Sequence, residues 1–337
     1  MRLLISLALA TVFFSCNNGN STPDVSNIEI KLNTRRFDKE LFSLDSNKLD
    51  QQLDPLIAKY PTFGALFLTT ILGADPKWNA DSTAIYVKQG FISPYHQIYD
   101  SSEKIFSNFS TYENEIKKGL QFLKYYFPSY KSPKNIITYI GPLDGYGDIL
   151  TEDALIIGLQ FYLGKNAFCY QFSRIKETYP SYITNRFEPD YISINCMKNI
   201  ILDMYPEKKE EATLAVQMIE NGKRLYCLQK LLPEKKSFQL IGYTEKQLKD
   251  CYSHEANIWN FFIQNDLLQI IENNTIKNYI GDSPTTQELG EASPGNIGTF
   301  IGWQIVKKYM DNNPKVSLLS LMGTNAEIIL EKAKYKP

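Results

Sequence analysis

Two glutamates stand where a carboxylate could do chemical work. Glu220 follows Met218 and Ile219 in QMIENGKRLY, and Glu255 falls between Tyr252 and Trp259 on a stripe that also holds Leu248 and Phe262. Helical spacing therefore turns both acids inward. A pair of inward carboxylates can serve a hydrolase as acid and base. The plainer alternative is structural: each acid pairs with Lys223, Arg224 or another base, or accepts hydrogen bonds from a helix end. Glu220, Lys223 and Glu255 are thus the candidate lining of a cleft, with structural pairing preferred and no catalytic residue assigned.

Other chemistries find less support. His96 and His254 are the only histidines, and each is isolated, so HExxH and related two-histidine metal motifs are absent. His96, beside a proline turn in SPYHQIYD, is expected at the surface or as a cap; His254 is expected on a helix surface. No GxSxG elbow nominates a serine. Asp144 and Asp148 in DGYGD lack the further carboxylates of an EF-hand calcium loop and are better explained by a tight turn. Cys169, Cys196, Cys227 and Cys251 are widely spaced with no CxxC pair, which disfavours a zinc site and leaves disulfides and buried thiols both open. No metal and no cofactor is expected.

The run SPGNIGTFIGWQIVKKY, Ser293 to Tyr309, is rich in glycine without being a nucleotide motif: it has neither the GK[ST] of a phosphate-binding loop nor GxGxxG spacing. Pro294 stands near a helix start, and Gly298 and Gly302 are four apart, on one helix face. Since a helical glycine costs about 1 kcal/mol, close packing against another backbone is the favoured reason for them.

These residues must be positioned by elements whose boundaries the chain partly announces. Residues 1–16 read as a secretion signal: Met1 and Arg2, the apolar run Leu3 to Phe14, then Ser15-Cys16. Cys16 is the expected lipidation site, although Phe13 and Phe14 make an imperfect lipobox. Several acyl chains on it would anchor the chain to a membrane without crossing it. Residues 17–27 form a polar tether. The uncharged residues after Cys16 favour the periplasmic side.

Residues 28–337 form one α-rich globular domain, or two lobes with a seam near 129–135. The fold class is predominantly α with a small β-sheet, α+β. With 43% hydrophobic and 13% aromatic residues a large core is available, and Lys+Arg 36 against Asp+Glu 37 leaves no charge excess for nucleic acid. Abundant tyrosine and tryptophan would also suit glycan binding, but are more often core residues.

Along the chain, a strand is expected at Ile28 to Leu32, then a helix through Phe37, Leu41 and Leu44. A second helical segment ends at Tyr60 before Pro61. TFGALFLTTILG, apolar on all sides, predicts a buried helix. Ser101 to Phe127 predicts a helix capped by Ser102 and ended by Pro128. IITYIG from Ile136 and ALIIGLQFYL from Ala154 supply the sheet. Helices follow over Tyr191 to Tyr205 and Glu207 to Leu232, and from a Thr244/Gln247 capping box to about Asn265.

The lipoprotein signal combines with RRFDKELFSLD, FLKYYFP, GLQFYLG, MIENGKRLYCLQKLLP, IGYTEKQL with EANIW, and SPGNIGTFIGWQIVKKYM ending in KYKP. Together these resemble the gliding-motility lipoprotein GldB family over nearly the whole mature chain. The resemblance implies a cell-envelope lipoprotein, on the outer membrane facing the periplasm, that supports bacterial gliding linked to type IX secretion. It implies no known reaction, so contact with gliding or secretion proteins is the expected role and an enzyme is not. The alternative is a hydrolase of peptide or cell-wall material using Glu220 and Glu255. A fainter similarity concerns element order: a helix, a helix with ENGK, then a glycine loop into a helix is similar to zincin-like metallopeptidases. The helix that would bear the metal histidines reads SINCMKNIILDMY and has none, which implies a degenerate relative with a remnant cleft.

Overall fold

The structure is a computed structural model, and it describes residues 22–207 and 212–337. It is mostly helical with one small mixed sheet, an α+β arrangement as expected. The expected lipidation site, Cys16, lies outside the described residues. Among the described residues no helix is long and apolar enough to cross a membrane.

The first strand, β1, is Asn33–Arg36, not the expected Ile28 to Leu32. Ile28, Ile30 and Leu32 do pack on the core, but the ladder begins only where Asn33 N donates to Lys134 O at 2.9 Å. The reason lies just downstream. Arg36 donates to Asp38 Oδ1 and Oδ2 at 3.0 and 2.6 Å, to Glu103 at 2.8 Å, and to the Phe106 carbonyl. The fully buried Asp38 also accepts from Thr138 on the neighbouring strand. Paired buried charges of this kind fix register. Helices α1 (Phe37–Phe42) and α2 (Leu49–Ala58) follow.

TFGALFLTTILG is not buried on all sides. Its helix, Phe63–Ala65, widens into π geometry over Leu66–Ile71, which turns Phe63, Phe67 and Ile71 inward and leaves Thr69 and Thr70 exposed. The helix expected over Ser101 to Phe127 is two: α3 (Ser93–Phe106) and α4 (Ser110–Tyr126), with Ser102 buried inside α3 instead of capping a start. The break places both Phe106 and Phe109 in the core. The carbonyls it frees meet cations: Arg36 takes that of Phe106 and Lys39 that of Ser107.

Strands β2 (Asn135–Tyr139), β3 (Ile149–Leu150) and β4 (Ala154–Gly158) complete the sheet in the order β1-β2-β4-β3. The β1–β2 and β2–β4 pairings are parallel and β3–β4 antiparallel. The central strands are covered on both faces, which is why they read as unbroken apolar runs.

The second half carries α5 (Ile192–Met204), α6 (Leu214–Leu231), α7 (Glu245–Ser253), α8 (Glu255–Gln264), α9 (Ile297–Asn312) and α10 (Ala326–Ala333). Helix α6 starts at Leu214, later than Glu207, because Thr213 caps it by accepting from Val216 N. The Thr244/Gln247 capping box opens α7 as expected, with Thr244 N donating to Gln247 Oε1 at 2.9 Å. The helix from it does not run to Asn265, because it breaks at His254, whose Nδ1 lies 2.9 Å from the Asp250 carbonyl and ties off that end. Helix α9 is the element enclosed on all sides, every residue from Ile297 to Val306 being buried.

Buried side chains from Val25 to Ala333 form one continuous cluster. The four described cysteines are buried free thiols.

Candidate functional site

The glycine loop enters the site by packing first. Helices α6 and α9 cross with their backbones nearly touching: a Cβ at Gly302 would lie 1.8 Å from the Met218 carbonyl oxygen, and one at Gly222 only 2.3 Å from the Gly302 carbonyl carbon. Gly298 is less tightly held: a Cβ there would lie 3.0 Å from the Tyr279 carbonyl oxygen and 3.1 Å from the Met218 side chain of α6, and its N–H donates to the Tyr279 carbonyl at 2.8 Å. The glycines therefore admit another backbone, as their spacing predicted. Their polar neighbours do something else. Asn296, with φ of 59°, accepts from Gly281 N and from the Thr299 hydroxyl, and both Asn296 and Thr299 face a cleft.

That cleft, of about 560 Å³, lies between α5, α6, the short helix Ser237–Ile241, residues 273–282 and the start of α9. Glu220 lines it. Glu220 Oε1 accepts from Lys223 Nζ at 2.8 Å, and the same ammonium, 2% exposed, donates to the Thr324 carbonyl at 2.9 Å. Lys223 thus pins Glu220 to the turn before α10, and the expected structural pairing exists.

Glu255 is elsewhere. The break at His254 puts it in the first turn of α8, half-buried, where it accepts from Tyr335 Oη at 2.6 Å and does not line the cleft. Burial, reinforced by Glu255, raises the Tyr335 phenol far above its usual range. Near Glu255, Lys307 stands over the Trp303 ring at 3.4 Å and donates to Tyr252 Oη at 3.0 Å. Burial pushes the Lys307 ammonium down to about 8, against the opposing charges of Glu255 and Asp311. The two candidate acids therefore occupy different surroundings.

A second cavity of about 460 Å³ adjoins the first and shares Ile241, Asp282 and Asn296 with it. At the boundary Arg186 clasps Asp282 through both nitrogens, at 3.0 and 2.7 Å. Such a bidentate pair is geometrically specific.

The remaining candidates are plainly placed. His96 is exposed beside Asp100, and Asp144 pairs with Arg174. Asp148 accepts from Gly158 N and from the Tyr162 hydroxyl, which in turn accepts from Asn195 of α5. Burial pushes the Asp148 carboxyl up to about 7, its two hydrogen bonds opposing.

Sequence reasoning missed Lys198. It stands on the cleft wall four residues after Ile194 and three before Ile201, two fully enclosed positions of α5. A lone cation within an apolar helical stripe was the available signal. The Arg186–Asp282 clasp left none, its members being far apart in the chain.

An α+β protein with a cleft between packed helices and a lipoprotein-like start is a class, not yet an identity. Residues 18–337 match the family described as gliding motility protein GldB, and the chain belongs to that family. The match bears out the resemblance read from the scattered motifs and implies a role in gliding motility. No curated protein and no solved structure was found to match the chain.

Proposed function

We propose that the chain is an outer-membrane lipoprotein facing the periplasm, attached through Cys16, which supports gliding by protein contacts with the gliding or type IX secretion machinery and performs no catalysis. The family match across nearly the whole chain carries this reading. Its non-catalytic part draws support from the site: Glu220 is engaged by buried Lys223, and Glu255 does not share its cleft. A hydrolase running on this pair needs both acids near one substrate bond.

The test replaces the chromosomal gene with Glu220→Gln and Glu255→Gln variants and, separately, recovers the wild-type chain from detergent-solubilised membranes. Gliding that persists in both variants, with motility or secretion proteins in the pull-down, is the expected result. Loss of gliding in folded Glu255→Gln would restore the hydrolase. Recovery of no such component would remove the contact role.

A further inference from the structure

Among the described residues Lys198 is a cation without a counter-ion. Its ammonium makes no hydrogen bond or ion pair with any of them, yet it lines the cleft of about 560 Å³. The acids sharing those walls include two already engaged: Asp282 is clasped by Arg186, and Glu220 is held by Lys223. Arg224, the cleft's other half-buried base, is equally committed, to the Tyr205 and Pro206 carbonyls and to Asn221 Oδ1.

Burial pushes Lys198 down to about 8, with Arg186 adding to the effect and Asp282 opposing it. At neutral pH it is still mainly an ammonium. A half-buried charge with no partner among the described residues is unfavourable, and an incoming carboxylate would relieve it.

The rest of the cleft describes what such a carboxylate is attached to. Ile201, Leu225, Leu228, Leu240, Ile241 and Ile276 give it an apolar floor. Asn221 and Asn273 add amide N–H donors, and Thr299 adds a hydroxyl oxygen whose proton goes to Asn296; these can bond the peptide groups of a polypeptide but find nothing to bond on an acyl chain.

We propose that this cleft binds an apolar polypeptide segment whose terminal carboxylate pairs with Lys198. The proposal deepens the contact reading above and rests on it for its setting. Binding to the purified chain is a separate readout, so it can fail while pull-down and gliding succeed, and the converse also holds.

The experiment titrates the full chain, purified in detergent, with N-acetyl-trileucine and with its C-terminal amide by isothermal calorimetry. The free acid should bind at least tenfold more tightly than the amide. Lys198→Met should erase that difference and Lys198→Arg, which keeps the charge, should retain it. Equal binding of acid and amide, no binding of either at millimolar concentration, or an acid preference that survives Lys198→Met would each overturn the proposal. Octanoate binding more tightly than the peptide, and through Lys198, would assign the cleft to a free fatty acid and overturn it equally.

Discussion

Replacing Gly302 by alanine tests the closest contact in the molecule. The added methyl carbon would lie 1.8 Å from the Met218 carbonyl oxygen and 2.3 Å from its carbon, both backbone atoms of α6. Neither helix can yield by a rotamer change, so the two must separate by about 1.6 Å or more before the contact reaches ordinary van der Waals range. Overpacking of this kind costs about 1–3 kcal/mol, and a backbone-on-backbone clash belongs at the top of that range. Alanine returns about 1 kcal/mol through its better helix propensity. The net loss is then about 2 kcal/mol, which at about 2.1 cal/mol/K for each of roughly 310 folded residues is a fall in melting temperature of about 3 °C.

Thermal and urea unfolding followed by far-ultraviolet circular dichroism measure it. Gly323→Ala is the control, since a Cβ there meets nothing within 4 Å, and it should be neutral or slightly stabilising. Gly222→Ala meets the same crossing from the other side, at 2.3 Å from the Gly302 carbonyl carbon. Because one separation of the helices relieves both clashes, the double variant should lose less than the sum of the single ones. A Gly302→Ala protein as stable as wild type would refute the backbone contact and return those glycines to a ligand role.

Two further predictions concern pH. For Lys198, the folded value of about 8 lies below the usual 10.5, so between these values the unfolded chain binds more protons and stability rises with pH. Lys198→Met should therefore melt higher than wild type at pH 7, with the gap narrowing towards pH 10; a lower melting temperature at pH 7 would show that the ammonium has a stabilising partner. Asp148 runs the other way: its folded value of about 7 lies above the usual 3.8, the folded chain holds the extra proton, and stability falls as pH rises between them. Asp148→Asn should match wild type near pH 4, gain on it up to about pH 7 and keep that gain above it; a variant weaker than wild type at pH 8 would show that Tyr162 requires the ionised carboxylate.

The chain by itself settled whatever depends on neighbours a few residues apart. The capping box at Thr244, the apolar strands, the glycine spacing of α9 and the absence of paired histidines are all local patterns, and the combination of motifs named the family. Tertiary structure decided what depends on residues far apart. The helix over Ser101 to Phe127 is broken where Arg36, some 70 positions earlier, takes the Phe106 carbonyl. Glu220 and Glu255, alike in periodicity, parted when α7 ended at His254. Gly222 became the partner of Gly302, and Lys198 a cation in a cleft, only once α5, α6 and α9 had packed. Periodicity tells which face of a helix is buried; the rotation and depth at which two faces meet are set by the side chains of both, and no window along one of them contains the other.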